Sequence, residues 1–326
     1  MSQIEDPITT LVRLLQKNMW LVKDDGSLAN ILVSREWYDR ELFKNYYGQV
    51  TVGLQRSEDQ KLGLSGSYRR RICYAIVNIW VVDKSEQGVI GRVMREKLRE
   101  EINRIIRENR NKPNETTYNF VGVGKPTGTH KAYYATSDVE LAPDSAEWNE
   151  LSDTDYQKIW NSDDSRFGFS QSENGKYSLL LFRFKTESDK KVAKKIVLRF
   201  EGYGTAPVGD GATIKIWNFD VEEWQEAQTG TSGGDEWIII TLPSSLTSFI
   251  DDNGYVYLLA RTANPSDGSA PAIIYCDYAD CIVTVNGITY CDIVSYRDLD
   301  EVRVKPFLWR TEFTVKAWLF EKVLGG

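Results

Sequence analysis

The sequence predicts two domains: an α+β host, built as a mixed or antiparallel sheet with helices on one face, and a large all-β sandwich inserted into it. Three observations carry this reading. The flanks of the chain combine amphipathic helices with long apolar strands. The middle breaks into short strands divided by Gly, Pro, Asn and Asp clusters. Charge changes with them: residues 125–287 hold 14 basic and 25 acidic side chains, net −11, against +4 for the flanks and −7 for the chain. A shift out and back marks an insertion, so the host is assigned to 1–124 and 288–326 and the sandwich to 125–287. At 326 residues the chain is long enough for two cores.

Asp6 is a good N-cap and Pro7 fits the first helical position. Ile8, Leu11, Val12 and Leu15 then recur at helical spacing, and the helix stops near Asn18. DDGS at 24–27 is a turn. VSREWYDREL lacks a clean period, and its Trp37 and Tyr38, with Phe43, are placed beneath the sheet. Gln49 to Arg56 alternates as a strand with Val50, Val52 and Leu54 on one face, and SEDQKLGLSGS is read as a polar loop.

Tyr68 to Val82 is a long strand with two apolar faces: Ile72, Tyr74, Ile76 and Trp80 on one, Cys73, Ala75, Val77, Ile79 and Val81 on the other. One face takes the helices. The other needs a further layer or a neighbouring subunit. Ile90, Val93, Met94, Leu98, Ile102, Ile105 and Ile106 form the stripe of a second helix, ended by Asn109, Asn111 and Pro113. Val302 to Leu308, interrupted by Pro306, and Thr311 to Val323 are the closing strands. In the second, Phe313, Val315, Ala317 and Leu319 oppose Trp318 and Phe320. A subunit interface is therefore assigned to Ile72, Tyr74, Ile76, Trp80, Phe313, Val315 and Trp318.

In the middle, Ser178–Phe184, Lys195–Glu201, Ala212–Phe219, Trp237–Leu242, Tyr255–Ala260 and Cys281–Val285 are strands. Turn sequences such as GYGTAPVGDG and NPSDGSAP separate them, the pattern of an antiparallel sandwich. SDTDYQKIWNS holds at most one helical turn.

The chemistry-bearing residues of the chain exclude more functions than they support. The single histidine, His130, sits in a loop-like stretch and is read as solvated, which removes histidine dyads and most triads. Cys73 is read as a buried thiol, and Cys276, Cys281 and Cys291 match no zinc spacing. GVGKPTG at 122–128 fails as a phosphate loop, because Asn119 and Pro126 stand where Gly and Ser or Thr are required. Asp210, Asp220, Asp251 and Asp277 are calcium-capable carboxylates but are read as solvated loop charges. No metal, cofactor or catalytic residue is assigned, and no carboxylate spacing marks a hydrolase. Trp217, Trp224 and Trp237 carry faces able to stack on sugar rings, and Trp217 and Trp224 are the assigned glycan contacts. The net charge of −11 argues against nucleic acid or an anionic membrane as the sandwich's partner. Arg69, Arg70, Arg71, Arg99 and Arg104 are assigned to intersubunit ion pairs or to a lumen facing DNA. No apolar run approaches the roughly 20 residues of a membrane span. MSQIEDPITT lacks the features of a signal peptide, so Sec export is not expected.

The flanks resemble the tail terminator proteins of long-tailed viruses, the minor-tail-protein-U type. The stretches that carry the likeness are ITTLVRLLQKNMW, QVTVGLQRSE, YRRRICYAIVNIWVVD with VIGRVMREKLREEINRIIREN, and WRTEFTVKAWLFE. The resemblance covers about half the chain, and the middle segment departs from it. It implies a structural virion protein at the tail neck, made in the host cytoplasm. Such a protein forms a ring of its own copies, usually a hexamer, which caps the tail tube and contacts the tube protein and the head–tail connector or stopper, with genomic DNA passing through the lumen. The middle, through ATSDVELAP, RFGFSQSENGKYSLLLFRF, KIVLRFEGYG, IKIWNFDVEEW and YADCIVTV, resembles jelly-roll modules of carbohydrate-binding type. That likeness implies an outward decoration domain with a neutral glycan as ligand. The alternatives are a glycan-binding adhesin whose host domain only oligomerises it and, further off, an enzyme acting on polysaccharide.

Overall fold

A computed structural model describes residues 3–23, 25–35, 39, 41, 45–62, 68–84, 90–123, 128–244, 246–301, 303 and 307–322. Trp37, Tyr38, Phe43, Pro306 and Val323 lie outside the described residues, as does most of GVGKPTG. In chain order the elements begin with α1 (Pro7–Asn18), β1 (Ile31–Ser34), β2 (Gly48–Leu62), β3 (Tyr68–Val82), α2 (Gly91–Asn109) and β4 (Glu115–Tyr118). There follow β5 (Lys131–Ser137), β6 (Asn149–Glu150), α3 (Asp153–Gln157), β7 (Phe167–Gln171), β8 (Tyr177–Lys185) and β9 (Ala193–Thr205). The remainder are β10 (Ala212–Asn218), β11 (Glu223–Thr229), β12 (Glu236–Leu242), β13 (Tyr255–Thr262), β14 (Ala272–Val285), β15 (Tyr290–Asp298) and β16 (Leu308–Lys322). Strands dominate, and the chain divides into two compact units: Ile4–Thr116 with Asn286–Gly326, and Thr117–Val285 with Met1–Gln3.

The discontinuous unit is a five-stranded sheet in the order β1-β2-β3-β16-β15, parallel at β1-β2 and antiparallel elsewhere. Asp6 caps α1 by accepting the Thr9 N–H at 3.0 Å. Leu11 and Leu15 of α1 and Leu98, Ile102 and Ile105 of α2 pack with Val50, Val52, Cys73, Ala75, Val77, Ile79, Val81, Phe313 and Val315 in one core. Phe313 and Val315 pair with Val77 and Ala75, so they share the helix-facing side of the sheet and are fully buried. That corrects their assignment to a subunit interface: β16 alternates, and its odd positions belong to the core. Ile72, Tyr74, Ile76, Trp80 and Trp318 occupy the opposite face.

This second face carries its own cover. Arg56 lies over the Tyr74 ring at 4.1 Å, Arg310 over Trp80 at 4.5 Å and Lys316 over Trp318 at 4.9 Å. The Trp80 indole N–H donates to Thr51 Oγ1 at 2.9 Å. Long cationic side chains lay their stems and heads along aromatic faces, and among the described residues Ile72 is buried and Tyr74, Ile76 and Trp80 are half-buried. β2 also extends further than its apolar alternation, through the polar SEDQKL, because Asp59, Gln60 and Lys61 pair across to Arg71, Arg70 and Arg69.

The points where the chain leaves and re-enters this unit converge on one buried ion pair. Arg13 donates from Nη1 and Nη2 to Glu5 Oε1 and Oε2 at 2.5 and 2.6 Å, and both residues are buried. Arg13 Nε donates to Thr116 Oγ1 at 3.1 Å, and the Glu5 N–H donates to the Asn286 carbonyl at 2.7 Å. Thr116 is therefore bonded by Arg13 and Asn286 by the backbone of Glu5, and the two flank the contiguous unit in sequence.

The contiguous unit is a sandwich of a six-stranded sheet, β11-β10-β13-β8-β5-β6, and a second sheet, β12-β9-β14-β4 with β7 on β14. Alternation supplies the core: Leu180, Phe182, Phe184, Ile214, Ile216 and Leu258 from the first sheet meet Ile196, Leu198, Phe200, Ile240, Cys281 and Val283 from the second. The sandwich begins at Thr117 rather than 125, since Tyr118 and Phe120 already lie in its core while the charge shift starts later. His130 is buried rather than solvated. Its Nδ1 accepts the Lys185 N–H at 3.0 Å, and its ring packs edge-on to Tyr118 and Phe120.

Candidate functional site

The outer face of the six-stranded sheet gathers the aromatic groups. Along β10, β13, β8 and β5 the residues that alternate with the core point outward: Lys215 and Trp217, Tyr255, Tyr257 and Leu259, Leu181 and Arg183, Lys131 and Tyr133. Residues 138–148 lie across one half of this face. Glu140 accepts from Lys215 Nζ at 2.7 Å and from Arg261 Nε at 2.9 Å. Leu141 packs with Ala135, Leu179 and Leu259, and Trp148, Tyr177 and Trp224 close around them. Burial opposes ionisation of Glu140, but the two cations hold its carboxyl below the usual range.

The other half is open. Trp217, Phe219 and Tyr257, with Ala142, Pro143, Asp144 and Glu222, line a cleft of about 340 Å³, at the small end of the range for ligand pockets. Phe219 and Tyr257 lie 5.8 Å apart and Tyr255 lies 6.4 Å from Tyr257. Arg183 sits over the Tyr255 ring at 4.8 Å, and its Nε has no hydrogen-bond partner. Burial raises the Tyr257 hydroxyl, which stays protonated at neutral pH as a donor. An aromatic wall with a tyrosine hydroxyl on it is an arrangement that takes the CH face of a sugar ring and donates to one of its oxygens.

The structure brings Trp217 and Trp224 together as a cross-strand pair at 5.0 Å, edge to face. Their roles differ. Trp217 is a cleft wall, although only 9% of it is exposed. Trp224 is tied by its indole N–H to the Leu141 carbonyl at 2.9 Å and holds the covering segment in place. Trp237 is on the second sheet, under Arg199 at 5.3 Å. Phe219, Tyr255, Tyr257 and Arg183 went unnoticed in the sequence. The signal that could have found them is the alternation YVYLLART, which puts two tyrosines on the face opposite the core.

The charged assignments are largely satisfied within the chain. Arg104 bonds Glu101 at 2.7 Å, Glu108 at 2.5 Å and the Asn18 carbonyl at 2.9 Å. Arg99 pairs with Asp298 at 3.6 Å and Arg71 with Asp59 at 2.8 Å. Arg70 donates to Gln60, and Nε of both Arg69 and Arg70 is without a partner. All four cysteines are buried and unpaired by disulfide. Burial pushes the Cys291 thiol up to about 12 and raises Cys73, Cys276 and Cys281. Of the four aspartates noted in the sequence, only Asp277 falls in a carboxylate group able to share an ion among the described residues, and its companions are Asp164 and Asp235.

A sequence-family model described as "Uncharacterized protein, C-terminal domain" matches residues 128–285. No curated protein matches the chain. Solved structures with some similarity include a xylan-binding module of carbohydrate-binding family 15, at 10% identity and TM-score 0.28, covering 52% of this chain and 97% of the module. A family 11 carbohydrate-binding module from Clostridium thermocellum gives 8% identity and TM-score 0.20, covering 53% of this chain and 89% of the module. The enzymatically active domain of tailspike protein 4 of bacteriophage CBA120 gives 9% identity and TM-score 0.24, covering 52% of this chain but 19% of that one.

Proposed function

We propose that the Thr117–Val285 sandwich binds a neutral polysaccharide on the open half of its six-stranded sheet. The observation that carries this is the cleft walled by Trp217, Phe219 and Tyr257. Stacking needs no ligand charge, which suits a segment of net charge −11 over 125–287. Xylan and mixed-linkage β-glucan, named with two of the similar modules, are the first probes. The test is a glycan array on the full chain, followed by titration calorimetry with Trp217→Ala and Tyr257→Ala. The expected result is millimolar to micromolar binding, weakened at least tenfold by either change while the melting temperature of Tyr257→Ala stays within a few degrees. Failure to bind any neutral glycan, or binding indifferent to both changes, refutes the reading.

A second reading concerns the discontinuous unit: a tail-terminator-like α+β ring subunit, with its own copies, a tail tube protein and a connector as partners. The observation that favours it is the outer half of the β2–β3 hairpin, which is exposed and carries apolar Leu54, Leu62 and Tyr68, with Phe320 on β16 beside it. Negative-stain micrographs of the purified chain test it. Rings, or capped tubes on mixing with a tube protein, support it, and monomers that cap nothing refute it.

A further inference from the structure

Away from the aromatic face, three carboxylates from distant parts of the chain meet at the second sheet. Asp164 precedes β7, Asp235 precedes β12 and Asp277 is in β14, and one oxygen of each lies within 4.8 Å of the others. Asp277 is the residue at which the β14–β9 register slips, between Cys276 and Tyr278. Such a bulge re-aims a side chain, and Asp277 ends only 1% exposed. Its Oδ2 accepts the Asp164 N–H at 3.2 Å, while its Oδ1 is buried with no partner. A buried carboxylate oxygen left unpartnered is costly unless something outside the chain fills it. Asp235 Oδ1 and Glu201 Oε2 are likewise buried and without partners.

Arg166 offsets part of the charge, donating from Nε to Asp235 Oδ2 at 2.6 Å and from Nη2 to Asp164 Oδ1 at 2.7 Å. Three aspartates against one guanidinium leave two negative charges over, the amount that one divalent cation cancels. Oxygens bound to calcium stand about 2.3–2.6 Å from the ion, so any two lie at most about 5 Å apart, and the trio meets that limit without movement. Magnesium, at about 2.1 Å and with strict octahedral demands, suits three fixed carboxylates from separate segments less well.

We propose that Asp164, Asp235 and Asp277 bind calcium and so fasten the segment before β7 and the start of β12 to the bulge of β14. The site is independent of the sugar-binding reading. The test uses the full chain, stripped with chelator and then titrated with Tb³⁺, whose emission is sensitised by aromatic rings. Tyr203 and Tyr275, stacked at 4.7 Å, are the local donors, Tyr203 lying in the field of Arg166 and Asp235. The expected result is saturable emission displaced by Ca²⁺ and not by equimolar Mg²⁺. The melting temperature should rise by about 5–10 °C at calcium near one hundred times Kd. Asp277→Asn and the less buried Asp235→Asn should each weaken binding at least tenfold, with the second serving if the first fails to fold. Absence of both emission and thermal shift in millimolar calcium overturns the proposal and leaves Arg166 as the cluster's counter-charge. Binding that is unchanged in Asp235→Asn overturns it too.

Discussion

Replacing Arg13 with Met should destabilise the discontinuous unit severely, whereas replacing Glu5 and Arg13 together should not. The Glu5 carboxylate takes two short bonds from the Arg13 guanidinium and a third, at 2.6 Å, from the Thr10 hydroxyl, all out of solvent. Arg13→Met leaves that charge buried with the hydroxyl alone, at a cost of about 3–5 kcal/mol. Glu5→Leu/Arg13→Met removes both charges, and what remains is the lost bonding of the Thr10 and Thr116 hydroxyls, about 1 kcal/mol apiece at most. For a unit of this size, each kcal/mol moves the midpoint by about 2–4 °C, so the single change should lower its transition by about 6–20 °C and the double by only a few degrees. Calorimetry of the full chain reads the shift, and hydrogen exchange in residues 7–18 assigns it to the unit containing α1. A cost below about 1 kcal/mol for the single change, or a double variant as unstable as the single one, would show that the stranded Glu5 charge is not what makes the loss of Arg13 costly.

Three further outcomes follow from the sandwich and the thiols. Burial raises Asp277 and Glu201 above their ordinary carboxyl values. In calcium-free buffer the sandwich should therefore gain stability as pH falls from neutrality toward the unfolded carboxyl range near about 4, and lose it as pH rises through the raised values. A melting temperature that is flat or falling over that acid-going interval would count against it. Gly204→Ala should destabilise the sandwich by about 1–3 kcal/mol in urea titration, because a Cβ would meet the Gly211 carbonyl at 2.3 Å with backbone on both sides. A thiol reagent should label none of the four cysteines in the native chain and all four in denaturant, and rapid native labelling would contradict the burial of Cys276, Cys281 and Cys291.

Where burial imposes a period, the sequence is transparent. β3 runs over Tyr68–Val82 as its apolar content requires, and α1 begins at the Asp6–Pro7 pair. Where pairing is polar, the pattern is silent. The outer part of β2 is a strand because Asp59 and Gln60 find Arg71 and Arg70 across the ladder, a relation that no window along one strand contains. β15 escaped notice for the same reason, since Ser295 to Asp298 face solvent while pairing with β16. The candidate site was half legible. Trp217 and Trp224 mark an aromatic face in the sequence, but the cleft is completed by Tyr257 and Phe219, and the acidic trio depends on a register slip at Asp277 that local pattern does not announce.

The central pairing of the discontinuous sheet, β3 with β16, joins residues 68–82 to residues 308–322. A ribosome adding about 5–20 residues per second reaches β16 some ten to forty-five seconds after finishing β3. During that interval the whole of the contiguous sandwich emerges and has everything it needs to fold. β3 meanwhile waits with one long edge bare, a state that ordinarily invites pairing with other chains. The arginines at 69–71, with Asp59, Gln60 and Lys61 opposite them in β2, keep the outer end of that waiting edge polar and charged, while its inner end, Ile72 to Val82, is apolar and stays bare until the last strand arrives.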